Sequence, residues 1–275
     1  MAAAEGRLTP SESRVARYFA DHREEAAFLS AAEMAEVLGV SDATVIRAAQ
    51  ALGYRGLPEL KDELREVIRA RATPAVRWTR TLDLLGHDDE ALVDQLLATQ
   101  IEVLAEARRW LRPEDFAAAV ELVAGAERIV VAGFGPLGVA ADYFVLTLRR
   151  IGRAAMALTG RSTAFVDGLV ELRAGDVLVI VVYEQIVAEI DLALDQAAER
   201  GVPCVLVTDN LALALEGRYE VALTSPRGPT DLVPSIAVPV VIIEALIFGI
   251  IGQNRPRAVA ALDDLNRLRG RLGSG

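Results

Sequence analysis

SAAEMAEVLGVSDATVIRAAQALG, residues Ser30–Gly53, contains two helix starts and one helix stop in a short span. Ser30, with Glu33 three residues on, forms a capping box, and Leu29 and Met34 occupy the hydrophobic-staple positions around it. Gly39 stands where a chain takes positive φ to leave a helix. One residue, Val40, separates it from Ser41, a natural N-cap for SDATVIRAAQALG. Two helices joined through Gly-Val-Ser, the first about two turns long, describe a helix-turn-helix. The short link forces the second helix across the first, with Val40, Val45 and Leu52 packed inward. Ser41, Asp42, Ala43, Thr44 and Arg47 are then left near the exposed N-terminal half, the part that meets base edges in a major groove.

Arg47 is the candidate for direct readout, because a guanidinium can grip guanine O6 and N7 together. Arg55, just past the helix, and Lys61, the only lysine in the chain, are candidates for phosphate contact. Upstream, LTPSESRVARYFADH repeats the grammar: Thr9 as N-cap, Pro10 at the first helical position, Glu12 closing the box. Val15, Tyr18 and Phe19 follow at the spacing of one helical face. A small helical bundle that binds protein, with Arg47 merely solvated, is the alternative on these residues alone.

Charge restricts where nucleic acid can sit. The chain has 275 residues and a net charge of −10. Residues 1–80 hold twelve basic and twelve acidic groups, so the later residues carry the whole net charge. An acidic body is a poor nucleic-acid surface, which leaves the first eighty residues. Cys204 is the sole cysteine, excluding an intrachain disulfide or CxxC site and fitting a reducing cytoplasm. His22 and His87, the two histidines, are far apart in sequence; no metal site or cofactor is expected. MAAAEGR lacks the apolar core of a signal peptide. IAVPVVIIEALIFGIIG, Ile236–Gly252, approaches membrane-span length, but Pro239 and Glu244 interrupt it; a helix buried on most sides is expected, with Glu244 a paired interface carboxylate.

RATPAVRWTRTLDLLGHDDE reads as an irregular linker, and ALVDQLLATQIEVLAEARRWL as a long amphipathic helix. Strands and helices then alternate: RIVVAG, a helix over 137–150, AAMAL, a short helix near 163–171, VLVIVV, a helix over 186–200, CVLVT, a short helix, YEVALT. Continuous apolar strands separated by helices indicate a parallel sheet covered on both faces. The fold class is therefore an all-α helix-turn-helix domain followed by an α/β doubly wound five-stranded parallel sheet, with ligands expected at its carboxyl edge.

The first sixty or so residues resemble the N-terminal domain of RpiR-type bacterial transcription regulators. The likeness is carried by the LS-x-x-E-(M/L)-A entry, the GVS-x-x-T-V-x-R turn and recognition helix, and the LGY-x-G-x-PEL ending. Ala48 stands where that family commonly has an aromatic, implying slightly looser packing. Residues 108–255 resemble the sugar isomerase (SIS) domain that such regulators carry. The resemblance implies a dimeric helix-turn-helix protein on a two-fold operator of double-stranded DNA, and a second domain that dimerises and binds a phosphorylated sugar. Division into residues 1–72 (helix-turn-helix), 73–107 (linker and connecting helix) and 108–275 (SIS-like) follows.

The SIS signature is altered, however. In the loop after the first strand, Gly133 and Gly135 fit a Gly-x-Gly-x-Ser pattern, but Leu137 replaces the serine. After the third strand, Val182, Glu184, Gln185 and Val187 replace Ser, Ser, Gly and Thr of Ser-x-Ser-Gly-x-Thr-x-x-Glu; only Glu189 persists. A phosphate there would meet Glu184, and two unit charges about 4 Å apart repel by about 4 kcal/mol at an effective dielectric of 20. A sugar phosphate in the usual family pose is not expected. Three readings are open: Glu184 satisfies the free N–H groups of the following helix as a built-in anion; it receives a cationic or hydroxylated effector with Phe134, Leu137 and Tyr183; or the pocket is empty and the domain only dimerises. Arg161, Ser162 and Thr163 offer a relocated anion site or a helix cap on Ser162, and Arg227 and Thr230 a Gly/Pro loop or a lid. Ser235, which matches a serine frequent before the family's last long helix, lines the crevice or caps that helix.

The expected function is a cytoplasmic transcription regulator without catalytic residues, acting as a dimer or a tetramer. The rival readings are a sugar-phosphate (aldose–ketose) isomerase of SIS type, disfavoured by the lost phosphate donors, and a scaffold that binds no DNA.

Overall fold

The computed structural model describes residues 8–61, 64, 74–86, 89–160, 163–209, 211–228 and 232–272. The chain divides into two compact units, Met1–Leu84 with Asp231–Val233, and Leu85–Thr230 with Pro234–Gly275.

In the first unit α1 (Pro10–Asp21) and α3 (Ala31–Leu38) both begin at complete capping boxes, on Thr9/Glu12 and Ser30/Glu33. A short α2 (Arg23–Phe28) lies between them, and α4 (Asp42–Ala51) follows. Gly39 ends α3 at φ 60°, ψ 44°, the left-handed conformation that a Cβ would disfavour. Val15, Phe19, Met34, Val45, Ala48 and Ala49 are fully buried or nearly so in one core, with Val40 and Leu52 packed against it. The stretch expected to be an irregular linker is instead in large part a helix, α5 (Pro74–Leu85). Pro74 opens it rather than breaking it, as proline in a first turn can. Its Val76, Trp78, Leu82 and Leu84 are exposed, although Trp78, Leu82 and Leu85 recur at helical spacing in the sequence.

In the second unit come α6 (Asp89–Trp110), α7 (Pro113–Gly125), β1 (Arg128–Gly133), α8 (Pro136–Arg150), β2 (Ala154–Leu158) and α9 (Thr163–Val170). There follow β3 (Asp176–Val182), α10 (Ala188–Arg200), β4 (Cys204–Thr208), α11 (Leu211–Ala214), β5 (Val221–Thr224), α12 (Ala237–Gln253) and α13 (Arg255–Leu272). The strands form a parallel sheet in the order β2-β1-β3-β4-β5. Every residue of β3 is buried. Alternate residues serve opposite faces: Val177, Val179 and Val181 pack with α7, α8 and α12, while Leu178, Ile180 and Val182 pack with α9, α10 and α11. The order reverses direction between β1 and β3, so a crevice opens beyond Gly133 and Val182, where doubly wound sheets hold ligands.

At the opposite edge Arg128 grips the buried Asp176 through two bonds, Nε to Oδ1 at 3.1 Å and Nη2 to Oδ2 at 2.6 Å, tying the starts of β1 and β3. Among the described residues no single helix is long and apolar enough to cross a membrane. Ile242, Ile243, Leu246 and Ile250 of α12 are buried as expected, but Val241 and Phe248 are exposed.

Candidate functional site

The helix-turn-helix surface is set by its caps. Ser41 Oγ accepts the Thr44 amide at 3.3 Å and starts α4 immediately after the Gly39 turn. Ser41, Asp42 and Ala43 are exposed, as is Arg47, whose side chain keeps 59% of its surface. Thr44 is not exposed as expected but 8% accessible. Its Oγ1 meets Ser41 Oγ at 2.9 Å and accepts from Arg47 Nη2 at 3.2 Å, so it orients the guanidinium from below. Arg47 Nε also lies 3.6 Å from Glu12 Oε1, a contact that a ligand on α4 would have to displace.

The two phosphate candidates differ. Arg55 is open to solvent, its side chain paired with Glu59 on its own segment at 3.1 Å. Lys61 is half-buried, and its Nζ donates to the carbonyls of Phe28 and Leu29 at 3.2 and 3.1 Å, closing the C-terminus of α2. That ammonium is engaged within the fold. Sequence reading also passed over Ile46 and Gln50, which are exposed and share the outward face of α4 with Ala43 and Arg47. The i, i+3, i+4, i+7 spacing complementary to the buried Val45, Ala48 and Ala49 would have found them.

The crevice is built differently from its expected form. Gly133 is forced by packing: a Cβ there would lie 2.8 Å from the Leu137 carbonyl oxygen. Gly135 takes φ 57°, ψ −132°, a region open essentially to glycine alone. The two glycines therefore serve the tight β1–α8 turn itself. Leu137 is buried in the core, and its amide donates to Phe134 O at 3.2 Å. Phe134 packs on Phe165, ring centres 5.3 Å apart.

Glu184 has φ 70°, the single non-glycine residue with positive φ among those described. Val187, the N-cap of α10, provides no side-chain cap. The Glu184 carboxylate pairs with Arg227, which arrives from the loop after β5. Arg227 Nε also reaches Asp209 Oδ2, just past β4, at 3.0 Å, and the same Oδ2 accepts the Glu184 amide at 3.4 Å. The side chains of Arg227 and Asp209 keep 13% and 9% of their surface, and Glu184 27%. A guanidinium from the same chain thus offers the carboxylate a stronger partner than the helix amides of the cap reading. Beneath the triad, Tyr183 is buried with its hydroxyl 2.6 Å from Ser225 Oγ, and desolvation lifts its pKa well above the ordinary phenol value.

Ser235 stands outside this triad. Its Oγ donates to Gln100 Oε1 and accepts the Ala237 amide at 3.1 Å, so it starts α12. Asp209 and Ser225 were missed in the sequence, although both directly follow strand ends, where a parallel sheet collects its polar groups. Arg161, Ser162 and Thr230 lie outside the described residues. Among the described residues no cluster of His, Cys, Asp or Glu is placed to hold a metal ion.

Residues 2–71 match the model of the helix-turn-helix domain of the rpiR family, and residues 122–248 match that of the SIS domain. The HTH-type transcriptional regulator YfhH of Escherichia coli (strain K12) is 28% identical over 213 residues, 77% of this chain and 74% of its own. The sugar isomerase domain of an RpiR transcription factor from Sphaerobacter thermophilus is 26% identical with a TM-score of 0.59, covering 64% of this chain and 98% of that one. The Vibrio vulnificus NanR protein, complexed with ManNAc-6P, is 19% identical with a TM-score of 0.66, covering 97% and 95%, a likeness of fold. With the rpiR helix-turn-helix at one end and the SIS sheet at the other, the chain belongs to the RpiR-type transcription regulators.

Proposed function

We propose that the chain acts in the cytoplasm as a DNA-binding regulator that reads a two-fold operator with the outward face of α4 and catalyses no reaction. The observation that carries this is the strip formed by Ser41, Asp42, Ala43, Ile46, Arg47 and Gln50, exposed on a helix whose opposite face is buried. Arg47 supplies base readout and Arg55 a phosphate contact, while Lys61 acts indirectly by holding α2. A two-fold operator requires two chains. Val139, Tyr143 and Leu146 of α8 and Val241 and Phe248 of α12 are exposed, and Tyr143 donates to Glu244 of α12 at 3.2 Å, so this face is the one assigned to pairing.

In the SIS half, Arg227 pairs with the carboxylates of Glu184 and Asp209, in the loop where the family motif carries its phosphate donors. That internal pairing, together with the lost hydroxyls, speaks against both sugar-phosphate sensing in the family pose and isomerase turnover. Fluorescence anisotropy with the DNA upstream of its own coding region tests the main reading. Binding should weaken steeply with salt, and R47A should weaken it further at every salt concentration. Absence of DNA binding at low salt, or an unaffected R47A, would favour the scaffold reading, and turnover of a sugar phosphate would favour the isomerase.

A further inference from the structure

The amino edge of the sheet, opposite the crevice, contains a hollow of about 550 Å³. It opens where α7 leads to β1, α8 leads to β2, and α12 turns through 107° into α13. The volume falls in the range of small-molecule sites, roughly 300–1,000 Å³. Its polar lining is Glu121, Glu127, Arg153, Gln253, Asn254 and Arg257.

Among the described residues the two guanidiniums have no counter-ion. Arg153 donates Nη1 to Ala124 O at 2.8 Å and Nη2 to the carbonyls of Val123 and Ala126 at 3.1 and 2.5 Å, closing the end of α7. Its buried Nε has no acceptor. Arg257 gives Nε and Nη2 to Gly152 O at 3.2 and 2.8 Å. All these acceptors are neutral carbonyls, and among the described residues neither arginine has a carboxylate within ion-pair distance. Burial first, and the charge of Arg257 second, lower the pKa of Arg153. The acidic groups of the lining lie the other way. Glu127 is folded over Gly175 at the foot of β3, with Oε2 3.2 Å from where a Cβ of Gly175 would stand. Along the order β2-β1-β3 the hollow is therefore basic at β2 and α13 and acidic toward β1 and β3.

We propose that this hollow is a second binding site, for a small zwitterion of the amino-acid class, with its carboxylate on Arg153 and Arg257 and its ammonium toward Glu121 and Glu127. A plain anion would meet two carboxylates across the hollow, and a plain cation two guanidiniums. A molecule carrying both charges compensates both walls. The site is independent of the DNA-binding reading.

The test is a thermal-shift and calorimetric screen of the full chain without DNA, against the common α-amino acids, β-alanine and 4-aminobutyrate. At a hundredfold excess over Kd, the right member should raise Tm by about 3 °C or more. R257Q, which changes an exposed side chain, and E121Q should each weaken that ligand about tenfold or more while circular dichroism reports the same fold. Acetate and ethylamine, each with half of the charge pair, should not bind. Failure of every amino acid to bind would overturn the proposal, as would binding unchanged in R257Q or acetate binding as tightly as the zwitterion.

Discussion

Removing the Arg227 guanidinium takes a shared cation away from two carboxylates. In R227M, Glu184 and Asp209 keep 27% and 9% of their side-chain surface but lose the cation between them. Deleting one partner of a buried pair costs about 3–5 kcal/mol, because the remaining charge stays desolvated. Glu184 is wet enough to place this case at the lower end, about 3 kcal/mol, or roughly 6–12 °C in Tm for a unit of this size. Urea and thermal unfolding of the full chain measure it. R218A provides the control: Arg218 reaches Asp191 and Asp195 at 2.6 and 2.7 Å, but on the surface, where about 1 kcal/mol or less is expected. Neutralising both acids as well, in R227M/E184Q/D209N, should return stability to within about 1 kcal/mol of wild type. Ethylguanidinium should stabilise R227M and leave the triple variant unmoved. The reasoning fails if R227M is no worse than R218A, or if the triple variant is as unstable as the single.

Four further outcomes are expected. R47A should weaken specific DNA binding by about 1–3 kcal/mol and relax one operator position, without lowering Tm. K61M should lower the Tm of the first unit while leaving the salt slope of DNA binding unchanged, since its ammonium caps α2; a slope reduced by about one would mark a phosphate contact instead. G133A should destabilise by more than about 2 kcal/mol in equilibrium unfolding, since its methyl would collide with backbone rather than a mobile side chain. Acid should weaken the first unit through Glu12 and Glu33, held below the ordinary 4.5 by bonds from Thr9 and Ser30. Their contribution is complete above the unfolded-state pKa and is lost as pH falls through the depressed folded values. The acid transition followed by circular dichroism should be shallower in E12Q/E33Q.

What the sequence disclosed was mostly local. Thr9/Glu12, Ser30/Glu33, Gly39 and Ser41 act within four residues of themselves, so their spacing alone located α1, α3 and α4. The strands were legible because burial on both faces makes them continuously apolar, as Asp176–Val182 shows after its first residue. α5 was missed because Pro74 was read as a sign of irregular chain, although it opens the helix and Trp78, Leu82 and Leu85 recur at helical spacing. The crevice was half legible: the loss of hydroxyls around Glu184 identified a changed site, but the partner lies 43 residues away on a loop whose position only the folded sheet fixes. Lys61 misled for the same reason, its acceptors being 32 and 33 residues upstream. Thr44 was placed outside because it lies in the N-terminal half of α4, but its helical phase is that of the buried Val45, Ala48 and Ala49.

The most direct test of the self-filled crevice is calorimetric titration of the wild-type chain with a panel of hexose and hexosamine 6-phosphates. The account predicts no saturable heat at millimolar concentrations. Submillimolar binding of any of them, lost on changing Gly135 or Glu184, would contradict it.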